Sequence, residues 1–316
     1  MKRRTPLLLL PLFVGAALAA HLLIPTPGLA EGTPPRPLPM AATPTTPAPT
    51  AAAPTEPGTP PPSQPAPTPI PTPADPTQAV RHALDALGTH HGRYALAAAD
   101  LTSGRAATYG PATETFTSAS IIKVDILAAL LLQAQDRGVP LTPAQRRLAS
   151  DMIRVSDNDA AQELWAAIGR RQGLDAANAR LGLTPAHAGQ RGPWGLTRTT
   201  VGDQMTVLKA VFTQDSPLTA ASRSYVRALM GDIAADQNWG VGAAGAPGAR
   251  PVLKNGWLPG GTPPRWAVNS IGLVERAGHT LLIAVLTDAQ PTREAGTALI
   301  ERAASAAAEA LLVRTP

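Results

Sequence analysis

The stretch Phe116-Thr117-Ser118-Ala119-Ser120-Ile121-Ile122-Lys123 decides how this chain is read. The sequence holds four lysines, and this one sits three residues after a serine at the head of its most apolar helical pattern. From Ser120 to Asp136 the residues Ile121, Val124, Ile126, Leu127, Leu130 and Leu131 fall on more than one helical face. That distribution predicts a helix buried at the centre of a domain. Residues three apart share a helix face, so the Ser120 hydroxyl and the Lys123 amine converge. A serine hydroxyl is a weak nucleophile at neutral pH and needs an adjacent base. A lysine can serve once burial or a neighbouring cation lowers its pKa from about 10.4, and Ile121, Ile122, Val124 and Ile126 supply the desolvation. The competing reading is a capping serine with a solvated lysine one turn on. A charge without a task is costly at so apolar a position, which favours function.

Two later motifs follow in order. Ser156-Asp157-Asn158 stands before a helical pattern containing Leu164 and Trp165. All three residue types cap helices well, so capping is the local reading. The functional reading makes Ser156 a proton carrier and Asn158 a side-chain amide that holds a substrate amide. Lys254-Asn255-Gly256 has its own rival, because Asn-Gly between apolar residues signals a hairpin turn. Yet Pro259-Gly260-Gly261-Thr262-Pro263 follows at once and is the better loop. Two turns so close would leave Trp257 and Leu258 too short a strand, so the strand is expected to pass through Lys254 and turn after Leu258.

The order S-x-x-K, S-D-N, K-x-G resembles the motif set of class A β-lactamases and penicillin-binding proteins. The resemblance extends from Tyr94 to Leu312. Phe116 to Lys123 is similar to the nucleophile segment of that superfamily, and Val155-Ser-Asp-Asn-Asp-Ala-Ala161 to its second motif. Thr197-Arg-Thr-Thr200 resembles the segment that closes the Ω-loop, Lys254-Asn-Gly-Trp257 stands in place of K-T/S-G, and Trp266 to Val274 resembles the strand after it. The resemblance implies Ser120 as the acylated nucleophile, Lys123 as its base, Ser156 as the proton relay and Asn158 as the substrate-orienting amide. It further implies Lys254 as the anchor for a substrate carboxylate, with Asn255 and Gly256 beside it. The backbone N–H groups of Ser120 and Trp257 would form the oxyanion hole. The implied substrate is a small β-lactam or a D-Ala-D-Ala-like peptidoglycan stem peptide.

Three departures qualify the expectation. Asn255 replaces a hydroxyl residue that helps hold the substrate carboxylate. Only 36 positions separate Ser120 from Ser156, which predicts a more open cleft. No glutamate lies between Gly182 and Thr200, where class A enzymes carry the residue that activates the deacylating water; His187 and Gln190 are the neutral polar residues of that loop. Acylation with slow hydrolytic release is therefore expected. A D,D-carboxypeptidase- or transpeptidase-like enzyme and a wall-peptide binding module without turnover are the alternatives.

The rest of the 316 residues sets the context. Lys2, Arg3 and Arg4 precede an apolar run from Pro6 to about Ile24, the order of an export signal or, uncleaved, a membrane anchor. Residues 31–77 are a Pro/Thr/Ala-rich linker holding 18 of the 35 prolines, a composition that cannot fold and favours extended polyproline II. Residues 78–316 are then the catalytic domain, expected to be exported, monomeric and tied to a membrane only through residues 1–30. Without the three leading basic residues the net charge falls from +5 to +2, and no basic run with interleaved aromatics supports a nucleic-acid partner. With no cysteine and no paired-histidine spacing among the six histidines, no metal or cofactor is expected.

Along the domain the pattern predicts a helix from Asp75-Pro76 to about Leu87, strands at Tyr94–Leu101 and Ala106–Tyr109, and the central helix from Ser120. Helices at Pro143–Val155, Asp159–Ile168, Asp175–Leu181, Val201–Phe212 and Ala221–Met230 come next. Strands at Pro251–Leu258, Trp266–Val274 and Thr280–Thr287 and a last helix from Pro291 to about Leu312 complete it. First and last strands bracketing a helical block make an α+β fold, and the resemblance implies that it is of the β-lactamase/transpeptidase type. It would be an antiparallel sheet packed against a mostly helical subdomain.

Overall fold

The structure is a computed structural model that describes residues 75–183 and 193–313. The export segment, nearly all of the expected linker, and His187 and Gln190 lie outside the described residues.

The element order is α1 (Pro76–Asp85), β1 (Arg93–Asp100), β2 (Ala106–Tyr109), β3 (Phe116–Thr117), α2 (Ile122–Asp136), α3 (Pro143–Arg154), α4 (Asn158–Ala167), α5 (Arg170–Leu181), β4 (Arg198–Thr199), α6 (Val201–Phe212), α7 (Ala220–Gly231), β5 (Val252–Gly260), β6 (Arg265–Arg276), β7 (His279–Gln290) and α8 (Arg293–Leu312). Five strands form one antiparallel sheet in the order β2-β1-β7-β6-β5, so the chain's first and last strands pair at its middle. The mixed α and β architecture is the one expected, with local differences that include a short β3–β4 ladder and a last helix that starts at Arg293 rather than Pro291. Helix α5 starts at Arg170 rather than Asp175, and β5 runs on to Gly260 before turning. Ser120 lies in a short 3-10 turn, Ala119–Ile121, that leads into α2.

The sheet is buried on both faces, and its period-2 alternation sorts the residues. Ala95, Ala97 and Ala99 of β1 and Leu282, Ala284 and Leu286 of β7 pack with α2 and the helical block. Tyr94, Leu96 and Ala98, with Leu281, Ile283 and Val285, pack with α1 and α8. Helix α8 lies close because its inner face is small: Ala303, Ala304, Ala307 and Ala308 are fully buried, and a Cβ on Gly296 would sit 2.6 Å from the Val268 side chain. Helix ends follow capping chemistry. Asp75 accepts from Thr77 N with Pro76 at the first turn, and Thr142 and Thr200 each form reciprocal capping boxes.

Helix α2 carries the site. Twelve of its 15 residues are buried, Lys123 and Asp125 among them. A two-stranded ladder, Phe116 opposite Thr199 and Thr117 opposite Arg198, ties the residues before Ser120 to the chain entering α6. Arg198 reinforces it by donating to Thr117 Oγ1 (2.9 Å), to Thr115 Oγ1 (3.1 Å) and to the Thr115 carbonyl. Among the described residues no helix is long and apolar enough to cross a membrane.

Candidate active site

Ser120 borders a cleft of about 540 Å³ lined by Asn158, Gln162, Trp194, Leu196, Trp257 and Leu258. Its position is fixed from two directions. Asn269 on β6 is fully buried and donates to the carbonyls of Thr117 (2.8 Å) and Ser118 (3.0 Å), while its own Oδ1 accepts from Thr287 N (3.0 Å). Ser118 N in turn donates to the Thr197 carbonyl. The chain then passes through Ala119 at φ +48°, a left-handed conformation unfavourable for a residue with a Cβ. That local strain lifts the serine out of the strand direction onto the head of α2.

Strand β5 presses against the same point. A Cβ built on Gly256 would lie 2.6 Å from Ser120 N and 2.7 Å from Ile121 N, so only glycine lets the strand approach these amides. The expected oxyanion donors, Ser120 N–H and Trp257 N–H, thus belong to two segments in backbone contact. Donors of that kind are worth roughly 10²–10³ in rate each.

The three motifs meet at Ser156. Lys123 Nζ donates to Ser156 Oγ (3.1 Å), the Ser156 carbonyl (2.7 Å) and Asn158 Oδ1 (2.8 Å). Lys254 Nζ lies 3.0 Å from Ser156 Oγ and donates to the Asn255 carbonyl at 2.8 Å. Ser156 holds φ +59°, and Asp157 next to it caps α4 through a 2.7 Å bond from Ala160 N. The aspartate thus caps the helix, as the local reading expects, and its two neighbours turn toward Lys123.

Electrostatics follow from burial. Lys123 and Lys254 are 0% and 1% exposed. Burial pulls Lys123 down to about 8, against the opposing pull of Asp157. Lys254 is lowered well below the usual lysine range, by burial first and by the nearby Lys123 charge second. As an ammonium Lys123 has three N–H groups for three acceptors, and losing one proton frees a lone pair while two bonds remain. A neutral Lys254 can accept the Ser156 hydroxyl proton. The group is thus built to move protons between two amines and a hydroxyl beside Ser120.

The other expected residues are placed as follows. Asn158 is exposed on the cleft wall, and Trp257 lines the opposite wall, where the Arg293 guanidinium lies 4.0 Å from its ring centroid. Asn255 points elsewhere: it is 1% exposed and donates to the carbonyls of Gln237 (2.8 Å) and Trp239 (2.9 Å). Both amide hydrogens are taken, so its side chain braces the segment behind β5 rather than facing the cleft. Lys254 likewise reaches the cleft only through Ser156.

Sequence reasoning missed Asn269, Trp194 and Arg293. The Lys123 ammonium stands 4.8 Å from the Trp194 ring centroid, a cation–π contact. Among the described residues no carboxylate hydrogen-bonds to Lys123.

Comparison with known proteins gives a family and a fold. The sequence pattern of the β-lactamase enzyme family (Beta-lactamase2) matches residues 139–311, which includes Ser156 and Lys254 and begins after Ser120 and Lys123. No curated protein matches the sequence. Among solved structures, a class A β-lactamase from Bacteroides cellulosilyticus superposes with a TM-score of 0.64 at 16% identity, over 75% of this chain and 98% of its own. PBP-A superposes with a TM-score of 0.62 at 20% identity, over 74% and 96%. An acyl-enzyme complex of a PBP-A point mutant with penicillin G gives a TM-score of 0.59 at 20% identity, over 74% and 95%. These likenesses are of fold.

Proposed function

The chain belongs to the β-lactamase enzyme family of serine hydrolases, and from that premise we propose that it is an exported acyl-transfer enzyme releasing its acyl group slowly. One observation carries the reading: Lys123 and Lys254 converge on Ser156 Oγ, beside a serine whose amide lies under Gly256.

The reaction follows from those positions. Neutral Lys123 takes the Ser120 proton as Oγ attacks the carbonyl of a β-lactam or a D-Ala-D-Ala-like peptide. The Oγ–C bond forms, negative charge develops on the carbonyl oxygen, and the amides of Ser120 and Trp257 stabilise it. When the C–N bond breaks, the leaving nitrogen receives the Ser156 hydroxyl proton, and a neighbouring lysine restores it. The product is an ester on Ser120. A penicillin acyl-enzyme of PBP-A is the corresponding species in a protein of the same fold.

Release of that ester needs a base to activate water. Around Lys123 the described residues offer the Trp194 ring, Ser156 and Asn158, and no carboxylate bond. This supports slow deacylation and keeps a penicillin-binding D,D-carboxypeptidase or transpeptidase as the second reading. A wall-peptide binder without turnover is separated from both by covalent capture.

The test is intact mass of the purified protein after incubation with a simple penicillin, beside Ser120→Ala. A lasting adduct on wild type alone is the expected result. Drug consumption without an adduct would overturn slow release. Neither adduct nor consumption would move the reading to a peptide-specific enzyme or a binder.

A further inference from the structure

The cleft beside Ser120 carries one charge that the acyl-transfer steps leave idle. Asp159 is the second residue of α4, one position after Asn158, and is exposed on the cleft lining. Of the described residues that line the cleft, it alone is charged. The others are apolar or neutral, Trp194, Leu196, Trp257 and Leu258 among them. Gln162 lies three positions on along the same helix face, is also exposed to the cleft, and offers a carbonyl oxygen.

Among the described residues the Asp159 carboxylate has no hydrogen bond or ion pair. The buried amines nearby are committed elsewhere. Lys123 donates to the Ser156 carbonyl, Ser156 Oγ and Asn158 Oδ1, and Lys254 to Ser156 Oγ and the Asn255 carbonyl. Capping of α4 falls to Asp157, through Ala160 N. The plain alternative is that an acid in the first turn favours the helix dipole and needs no ligand. That benefit is available on any face of the helix, whereas Asp159 and Gln162 stand on the face that borders the nucleophile.

We propose that Asp159, with Gln162 beside it, selects acyl donors whose side chain carries an ammonium group, while the apolar cleft walls take the rest of that side chain. The inference rests on the acyl-transfer reading above. An exposed carboxylate attracts an ammonium and repels a carboxylate only modestly through water, but the two effects add when donors of opposite charge are compared. Asp159 is therefore a specificity residue. It acts on the charge of the bound side chain and leaves the serine, the lysines and the oxyanion donors untouched.

The test uses three penicillins that differ at one side-chain carbon, which bears an amine in ampicillin, only hydrogen in benzylpenicillin and a carboxylate in carbenicillin. Rates of adduct formation are read by intact mass at about pH 6.5, where an α-amine is protonated, on wild type, Asp159→Asn and Asp159→Lys. Intrinsic differences among the lactams cancel when the ampicillin-to-carbenicillin rate ratio of wild type is divided by that of Asp159→Asn. The quotient should be about fivefold or more, with benzylpenicillin between the two drugs once corrected in the same way. Asp159→Lys should carry the ratio below that of Asp159→Asn. Raising salt from about 20 to about 500 mM should shrink the wild-type ratio. Asp232→Asn, whose carboxylate pairs with Arg154 outside the cleft lining, should keep it. A quotient of one or less overturns the proposal and leaves Asp159 to the helix dipole, which predicts a lower Tm and no change in ratio. If neither Asp159 variant folds, wild type decides, because a ratio indifferent to salt also overturns it. Adducts with none of the three drugs would remove the acyl-transfer reading and this inference with it.

Discussion

Lys123 and Lys254 share one hydroxyl, with their amines 3.1 and 3.0 Å from Ser156 Oγ. Two ammonium groups on a single buried acceptor repel one another, and among the described residues neither has a carboxylate bonded to it. Lys254 is lowered by burial first and by this repulsion second. The site at neutral pH therefore carries less than two positive charges, which is the condition for one amine to act as a base.

The first prediction is a pH profile. Acylation of Ser120 needs a neutral base, and Lys123 sits at about 8. The rate of adduct formation with a simple penicillin should rise roughly tenfold per pH unit below that value and level off above it. Quenched-flow mass spectrometry across pH 6 to 9.5 reads it, and a flat profile would remove Lys123 as the base. Stability should move the same way. Between about 8 and the unfolded lysine's value near 10.4 the unfolded chain binds more protons, so this residue's contribution to stability rises with pH across that window.

The second prediction concerns Lys254. Lys254→Met keeps an apolar stem of similar length but removes the amine that lies 3.0 Å from Ser156 Oγ. Burial, and not Lys254, lowers Lys123, so the midpoint of the acylation profile should stay at about 8. At pH 7 the rate should fall by about tenfold or more, because an amine that exchanges the Ser156 proton is lost. A midpoint moved to higher pH would show instead that the Lys254 charge sets the titration of Lys123.

How much of this was legible in the sequence differs residue by residue. Lys123 could be read because a charge inside an apolar helix has few physical excuses, and Ser156 because it opens a Ser-Asp-Asn motif that falls in order between the two lysine motifs. Lys254 could be placed on a strand because Pro259-Gly260-Gly261-Thr262-Pro263, a little further on, made a better loop. Asn269 could not be found: one amide among β-branched residues gives no pattern, and its partners Thr117 and Ser118 lie about 150 residues away. The β3–β4 ladder was missed because two-residue strands have no periodicity. Asn255 was read toward the cleft because sequence spacing does not say which side of an edge strand is open. Trp194 was hidden because a cation–π partner leaves no mark distinct from any loop tryptophan.

The third prediction concerns Gly256. In Gly256→Ala the new methyl would meet backbone nitrogens 2.6 and 2.7 Å away, which cannot swing aside as a side chain would. Strand β5 must withdraw, which separates the two oxyanion donors. Acylation should drop by about 10²–10³, while circular dichroism should stay native-like because Gly256 lies outside both hydrophobic clusters. Wild-type acylation by Gly256→Ala would refute the placement of the oxyanion hole.

The fourth concerns Asn269. Replacing it by alanine leaves the carbonyls of Thr117 and Ser118 and the amide of Thr287 without these partners in a buried site. The cost should be about 2–4 kcal/mol, from unsatisfied groups rather than lost packing. Urea unfolding measures it. Acylation should fall at saturating substrate rather than through KM, since Asn269 holds the serine and not the ligand. A change of under about 0.5 kcal/mol, the size of an ordinary surface substitution, would mean the clamp is dispensable.

The last prediction addresses release of the acyl group. Trp194 occupies the place beside Lys123 where a carboxylate could both balance the ammonium and activate water. Its ring is half-buried and borders the cleft, so a shorter polar side chain there opens room for water near the Ser120 ester. In Trp194→Glu the carboxylate should raise the Lys123 pKa, which slows acylation at pH 7. It should also supply the missing base, which speeds hydrolysis of the ester. The two steps therefore move in opposite directions, an outcome that simple damage to the site does not produce. Chasing the preformed penicillin adduct by mass spectrometry separates them: its half-life should shorten by roughly tenfold or more, whereas its rate of formation should drop. A half-life unchanged from wild type would show that the base for release comes from elsewhere in the molecule.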